Sequence, residues 1–126
     1  MIPPKRGARR TVAQFFNAAN PYYTGPLDNA PLRGQATKWD ERLILQLGLW
    51  INSNGHITQA RFKSTTCVTL VALAEMLCEW LEGRTLEEAA TVDAQFLLRH
   101  VSGIPHWRAN RANVVETALR DALQKR

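Results

Sequence analysis

The stretch from Leu43 to Ile51 constrains the fold of this chain more than any other. Leu43, Leu45, Leu47, Leu49 and Ile51 alternate with Ile44, Gln46, Gly48 and Trp50. A period of two with one set uniformly aliphatic is the pattern of a strand that buries one face. Asn52-Ser53-Asn54-Gly55 follows, and Asn-Gly readily supplies the positive φ angles of a tight hairpin. The chain is therefore expected to return over Ile57 to Lys63 as a second antiparallel strand. On it, His56, Thr58, Ala60 and Phe62 alternate with Ile57, Gln59, Arg61 and Lys63.

Past Ser64-Thr65-Thr66 the period lengthens. Leu70, Leu73, Ala74, Leu77 and Leu81 fall on one helical face, and Gly83 is placed to end that helix in a left-handed turn. Thr85-Leu86-Glu87-Glu88 has the spacing of a capping box, which predicts a short helix over Leu86 to Ala90. Ala94 to Val101 reads as another short helix and Ser102 to Pro105 as a break. Arg108 to Gln124 reads as a terminal helix with Ala112, Val115, Ala118, Leu119 and Leu123 inward. Near the start, Thr11 is expected to cap a helix with Val12, Phe15, Phe16 and Ala19 in one stripe, stopped at Asn20-Pro21. Pro21, Gly25, Pro26, Pro31 and Gly34 mark residues 21 to 40 as an irregular loop with room for a short edge strand. Strands first and helices afterwards imply an α+β fold, a small antiparallel β-sheet packed by helices.

At 126 residues, 45% apolar and 21% charged, the chain is expected to form one globular domain over residues 11–126. A domain of this size buries roughly two-thirds of its unfolded surface and needs no staple. Cys67 and Cys78 are too few for a disulfide framework or a four-thiolate metal centre and read as intracellular thiols. Neither a signal-peptide run nor an apolar stretch of ~18 residues is present, so a cytoplasmic location without membrane contact is expected. Residues 1–10, with Lys5, Arg6, Arg9 and Arg10, read as a disordered basic arm. The formal charge of +5 is uneven. Nine basic against three acidic residues fall in 1–74, one against six in 75–98, and six against two in 99–126. Excess positive charge supports binding to acidic partners.

Cys67 falls where the second strand ends and the long helix begins. Free helix amides and a nearby Lys63 would favour a reactive thiolate there; a small buried hydrophobe is the alternative reading. Cys78, beside Leu77 and Leu81, reads as core.

Ala60-Arg61-Phe62-Lys63-Ser64-Thr65-Thr66-Cys67, the helix after it, Glu79-Trp80 and the run Gly83 to Ala89 resemble the IscU-type iron-sulfur scaffold family, also known as the NifU N-terminal domain. Asn20-Pro21 with Gly25 and Asp28 resembles the family's start, and Ile104-Pro105 leading into the last helix its end. The resemblance covers residues 11–126 and implies a compact α+β domain, IscU/NifU N-terminal-like and SufE-like, that is not an enzyme. It also implies a [2Fe-2S] cluster held by three cysteines with an Asp or a His. Of those thiols only Cys67 is matched. The loop Gly34 to Glu41 has no cysteine, and Asp40 is the candidate for the family's aspartate, with the register there open by two or more residues. Asn110 and Arg111 stand where the third thiol and its neighbouring His fall, when the final helix is aligned through Glu116 and Ala118. Val68 replaces the glycine after the central cysteine, and Ile104-Pro105-His106-Trp107-Arg108 stands where the family binds its chaperone.

The resemblance leaves two principal functions to weigh. In the first, a scaffold-like protein with a degenerate cluster site accepts persulfide sulfur through Cys67 from a cysteine desulfurase. In the second, a non-catalytic or regulatory module docks on a desulfurase or another acidic assembly protein through Arg108, Arg111 and the basic arm. Cys67 and Asp40 are the candidate metal ligands, with His100, His106 and Glu41 as potential helpers, for an iron-sulfur cluster or a single zinc or iron ion. A homodimer would bring two Cys67 thiols to one cluster. Nucleic-acid binding rests only on the basic pI with Trp39, Trp50 and Trp107, without any recognised motif.

Overall fold

A computed structural model describes residues 10–15 and 22–125. In chain order the elements are β1 (Arg10–Thr11), α1 (Val12–Phe15), β2 (Leu32–Lys38), β3 (Leu43–Ile51), β4 (Ile57–Ser64), α2 (Val68–Leu81), α3 (Leu86–Ala89), α4 (Ala94–His100), β5 (Val101–Ser102) and α5 (Arg111–Leu123), with 3-10 turns at Trp39–Glu41 and His106–Arg108. The α+β class and the antiparallel sheet packed by helices are as expected.

The predicted hairpin is the middle of the molecule. β3 pairs antiparallel with both β2 and β4, in the order β2-β3-β4. Asn52 shapes the turn, its side-chain oxygen accepting from the N–H groups of Asn54 and His56 at 2.9 and 3.0 Å, while Gly55 takes φ +79°. Simple alternation puts Ile57 on the face opposite Ala60 and Phe62, yet all three are buried. An irregularity accounts for this: Trp50 faces Gln59 but Ile51 faces Ile57. The extra residue of a bulge shifts the phase of alternation and turns Ile57 inward.

The irregular loop expected over residues 21–40 contains a full seven-residue edge strand, β2. Leu32, Gly34 and Ala36 alternate inward with exposed Arg33 and Gln35. Gly34, which reads as a strand breaker in one dimension, is there because α5 crosses it at backbone distance. A Cβ at Gly34 would lie 2.1 Å from the Ala118 carbonyl oxygen and 2.3 Å from the Ala122 nitrogen. The Gln35 N–H donates to Asp121 of α5 at 2.9 Å.

α2 and α5 cover the inner face of the sheet, and Leu45, Leu47, Leu49, Phe62, Leu73 and Leu77 are fully buried between them. Tyr23 and Gly25 pair with Phe62 of β4, and the buried Glu75 of α2 accepts the Tyr23 N–H at 2.6 Å. Burial raises the Glu75 pKa, against the hydrogen bonds from Tyr23 and Tyr22.

The predicted caps form. Thr11 and Gln14 exchange backbone-to-side-chain bonds of 2.8 and 3.1 Å, and Thr85 and Glu88 make the full capping box. Residues 16–20 of the expected first helix lie outside the described residues. So does the expected basic arm, except Arg10, which pairs with Glu79, lies over the Phe15 ring and registers opposite Val101. The terminal helix begins at Arg111 rather than Arg108. After Pro105 the chain takes a 3-10 turn, with Arg108 N–H bonded to the Pro105 carbonyl at 2.9 Å.

Candidate functional site

Three loops meet at the end of the sheet where β4 finishes. The first carries Thr65 to Cys67. The Thr65 N–H and Oγ1 bond the backbone of Ile44 in β3, which fixes where α2 starts. Cys67 is the N-cap residue of α2, in extended conformation, with its thiol partly exposed.

The second loop is the 3-10 turn Trp39–Glu41 between β2 and β3. Arg42 closes it at φ +57°, and its N–H bonds the Trp39 carbonyl at 3.1 Å. Within this turn the two adjacent acids diverge. The Asp40 side chain is 72% exposed and pairs with Lys38 at 3.3 Å. Glu41 instead faces the third loop, at the start of α5. Asn110 Nδ2 donates to Glu41 Oε1 at 2.7 Å, and Arg111 Nη1 donates to Glu41 Oε2 and to Asn110 Oδ1. Lys38 completes the set, 3.7 Å from Glu41 Oε1.

The charges match this geometry. The Asn110 hydrogen bond, helped by the charge of Arg111 and opposed by partial desolvation, holds the Glu41 carboxyl below its ordinary range. Burial disfavours the Arg111 charge, but hydrogen bonding by the Cys67 sulfur, the Glu41 charge and the charge of a Cys67 thiolate together raise its pKa. Cys67 is thus one of the groups that favour the Arg111 cation. Lys63 lies on the outer face of the sheet, opposite Gln46.

Of the residues singled out in sequence, Cys67 and Arg111 lie on two of these loops, and Asp40 stands one position before Glu41, the acid that pairs with Arg111. Arg108 is exposed in the 3-10 turn, whereas only 13% of the Arg111 side chain is exposed. The histidines are elsewhere: His56 follows the hairpin turn, His106 is exposed, and His100 stacks on Phe96 with Nδ1 2.8 Å from the Phe96 carbonyl. Among the described residues, no three His, Cys, Asp or Glu side chains gather as a metal-binding set. Trp39, Val68 and Trp107, each within three positions of Glu41, Cys67 or Asn110, are large apolar side chains left exposed.

A family model described as NifU-like N terminal domain matches residues 9–125. The chain belongs to this family. Similar proteins include the iron-sulfur cluster assembly scaffold protein IscU of Azotobacter vinelandii, 29% identical over 86 residues that make up 66% of this chain and 67% of the relative. Iron-sulfur cluster assembly protein 2 of Arabidopsis thaliana is 26% identical over 113 residues, 87% of this chain and 64% of that protein. The match thus spans about two thirds of each relative's length. Both names are those of assembly proteins rather than enzymes, in agreement with the sequence expectation.

Solved structures agree on the NifU N-terminal fold. A NifU-like protein (N-terminal) from Brucella abortus superposes with a TM-score of 0.67 at 14% identity, over 90% of both chains. FiSufU from Fervidobacterium islandicum AW-1, a candidate scaffold for the SUF system, does so with a TM-score of 0.70 at 13% identity, over 89% of this chain and 93% of its own. No helix among the described residues is long and apolar enough to cross a membrane.

Proposed function

We propose that this member of the iron-sulfur cluster assembly scaffold family has a degenerate cluster site and handles sulfur, with Cys67 accepting a sulfane sulfur from the persulfide of a cysteine desulfurase. The observation that carries the reading is the set of side chains at this end of the sheet: one partly exposed thiol, Cys67, with Asn110 and a mostly buried Arg111 tied to Glu41 where the family resemblance puts further ligands. A guanidinium has donors and no acceptor. The donors around Cys67 therefore do not fit a [2Fe-2S] cluster, a cargo that needs four ligands on two irons, nor a tetrahedral zinc or iron ion. One thiol suffices for sulfur transfer.

In that step the Cys67 thiolate bonds to the terminal sulfur of the donor's persulfide. The donor's S–S bond breaks, and its cysteine leaves as thiolate with the bonding pair; no oxidant is consumed. Exposed Arg108 and Trp107, in one turn, together with Trp39 and Val68, supply a basic and apolar face on which the donor docks.

Desulfurase with labelled cysteine is expected to place sulfane label on the wild-type chain and not on Cys67→Ser. Equal labelling of the two overturns the reading. Anaerobic reconstitution with iron and sulfide is expected to leave a featureless visible spectrum. Bound iron with cluster absorbance, in a monomer or between the Cys67 thiols of a homodimer, overturns the degenerate-site reading.

A further inference from the structure

β2 and β4 are the two edges of the three-stranded sheet, and they are finished differently. Along β4 the outward backbone groups are largely taken. Phe62 bonds Tyr23 and Gly25, Ile57 bonds Gly83 and Arg84, and the Ala60 N–H donates to Glu82 at 3.0 Å. β2 has one such contact, from the Gln35 N–H to Asp121 Oδ2 at 2.9 Å. In a paired strand the backbone groups of alternate residues point to the same edge, so Arg33 and Thr37 also turn their N–H and C=O away from β3. Among the described residues these groups have no hydrogen-bond partner. A cleft of about 350 Å³ beside Thr37, Asn113 and Thr117 and another of about 290 Å³ beside Arg33 and Lys125 flank the Asp121 cap. The edge therefore offers donors and acceptors at strand spacing, which another extended backbone matches.

We propose that β2 is a self-pairing edge which Asp121 keeps closed: with that cap removed, two copies of this chain join β2 to β2, antiparallel, into one continuous sheet. The symmetry of the edge selects a second copy as the occupant. In a pairing centred on Gln35, Arg33 of one copy falls opposite Thr37 of the other, so each free N–H meets a free C=O. Arg33, the single charge among Arg33, Gln35 and Thr37, then faces an uncharged residue instead of its own copy. The same symmetry accounts for the closure. Each Gln35 N–H is already given to Asp121, and pairing brings the two capping carboxylates together near the two-fold axis, where like charges repel. Growth stops at two copies because β4 is largely covered. The Lys38 ends of the joined strands, and with them the two Cys67 sites, lie at opposite ends, so this is a different dimer from one that shares a cluster between two Cys67 thiols.

The test compares the full chain with Asp121→Ala, a change that suits a helix, by sedimentation equilibrium and by hydrogen exchange of single amides. Wild type is expected to sediment as a monomer, with the Gln35 amide slower to exchange than those of Arg33 and Thr37. Asp121→Ala is expected to dimerise, with a dissociation constant at least about tenfold below that of wild type, the scale of two backbone hydrogen bonds gained per dimer. Raising its concentration should slow exchange at Arg33, Gln35 and Thr37 and leave Gly34 and Ala36, already bonded to β3, unchanged. Thr37→Pro in the Asp121→Ala background removes an outward N–H and no ladder bond, and is expected to restore the monomer. If that variant is poorly folded, the exchange pattern of Asp121→Ala decides alone. Asp121→Ala no more dimeric than wild type, a dimer whose Arg33 and Thr37 amides exchange as fast as in the monomer, or a folded proline variant that still dimerises overturns the proposal. Cys67→Ser in the Asp121→Ala background is expected to keep the dimer, and its loss there overturns the β2 contact as its cause.

Discussion

Arg111, at the start of the last helix, donates to the carboxylate of Glu41, seventy positions earlier in the turn between two strands. The contact ties α5 to the β2–β3 connection. Arg111 is mostly buried and Glu41 about one-third exposed, so the pair lies between the surface and the interior in its energetics. Breaking it leaves a poorly solvated cation without its partner.

The two side chains are therefore expected to be coupled. In urea unfolding of wild type, Arg111→Gln, Glu41→Gln and the double variant, the single changes each destabilise, with Arg111→Gln the more harmful. The double variant is expected to lose less than the sum of the two. Strict additivity contradicts the coupling.

Gly34 is expected to tolerate no side chain. A Cβ there meets α5 backbone atoms at 2.1 and 2.3 Å, and backbone does not swing aside as a side-chain tip does. Gly34→Ala should cost about 3 kcal/mol or more. Gly25→Ala, where the nearest atom is Arg61 Cδ at 3.6 Å, should change stability by less than about 1 kcal/mol. Denaturant midpoints of the two variants decide this.

Two acids are expected to tilt stability oppositely with pH. Glu75 has a pKa raised above 4.5 by burial, so the folded chain keeps a proton that the unfolded chain has released. Its contribution is greatest below pH 4.5 and falls as pH rises through the folded value. Glu41 is lowered from 4.5. Its contribution is present above pH 4.5 and is lost as pH falls through the folded value. Urea midpoints from pH 3 to 8 should show Glu75→Gln removing the first slope and Glu41→Gln the second.

The two thiols are expected to react in sequence. Cys67 is partly exposed, whereas Cys78 is fully buried, and burial, with the charges of Glu75 and Glu82, raises its pKa well above 9.0. A chromogenic disulfide reagent should titrate one thiol quickly in the native protein and the second only with unfolding. Two fast thiols in the native chain contradict the burial of Cys78.

The hairpin, the long helix, the Thr11 cap, the Thr85–Glu88 capping box and the α+β class were legible in the sequence because each rests on short-range signals. Alternation in Leu43–Ile51, the Asn-Gly pair, the i, i+3, i+4 leucines of α2 and the Thr-x-x-Glu spacing act within a turn or two of backbone. β2 was only partly legible. Gly34 is a breaker to any local reading and a requirement once α5 lies across it. Ile57 took the wrong face for a related reason, since a bulge is set by how two strands meet.

At the site, the residues of the family resemblance led to Cys67, Asn110 and Arg111. Local sequence is equally silent on which of Asp40 and Glu41 turns toward them, because adjacent residues in a 3-10 turn point in different directions and only the start of α5 selects one. The sequence by itself determined the β3–β4 hairpin, the helices that follow it and the Thr85 cap, the family resemblance, and the presence of a single thiol at the head of α2. Tertiary structure alone decided that Arg111 is mostly buried and pairs with Glu41. That contact spans seventy residues, and it exists only because the shared core brings three distant loops to one end of the sheet.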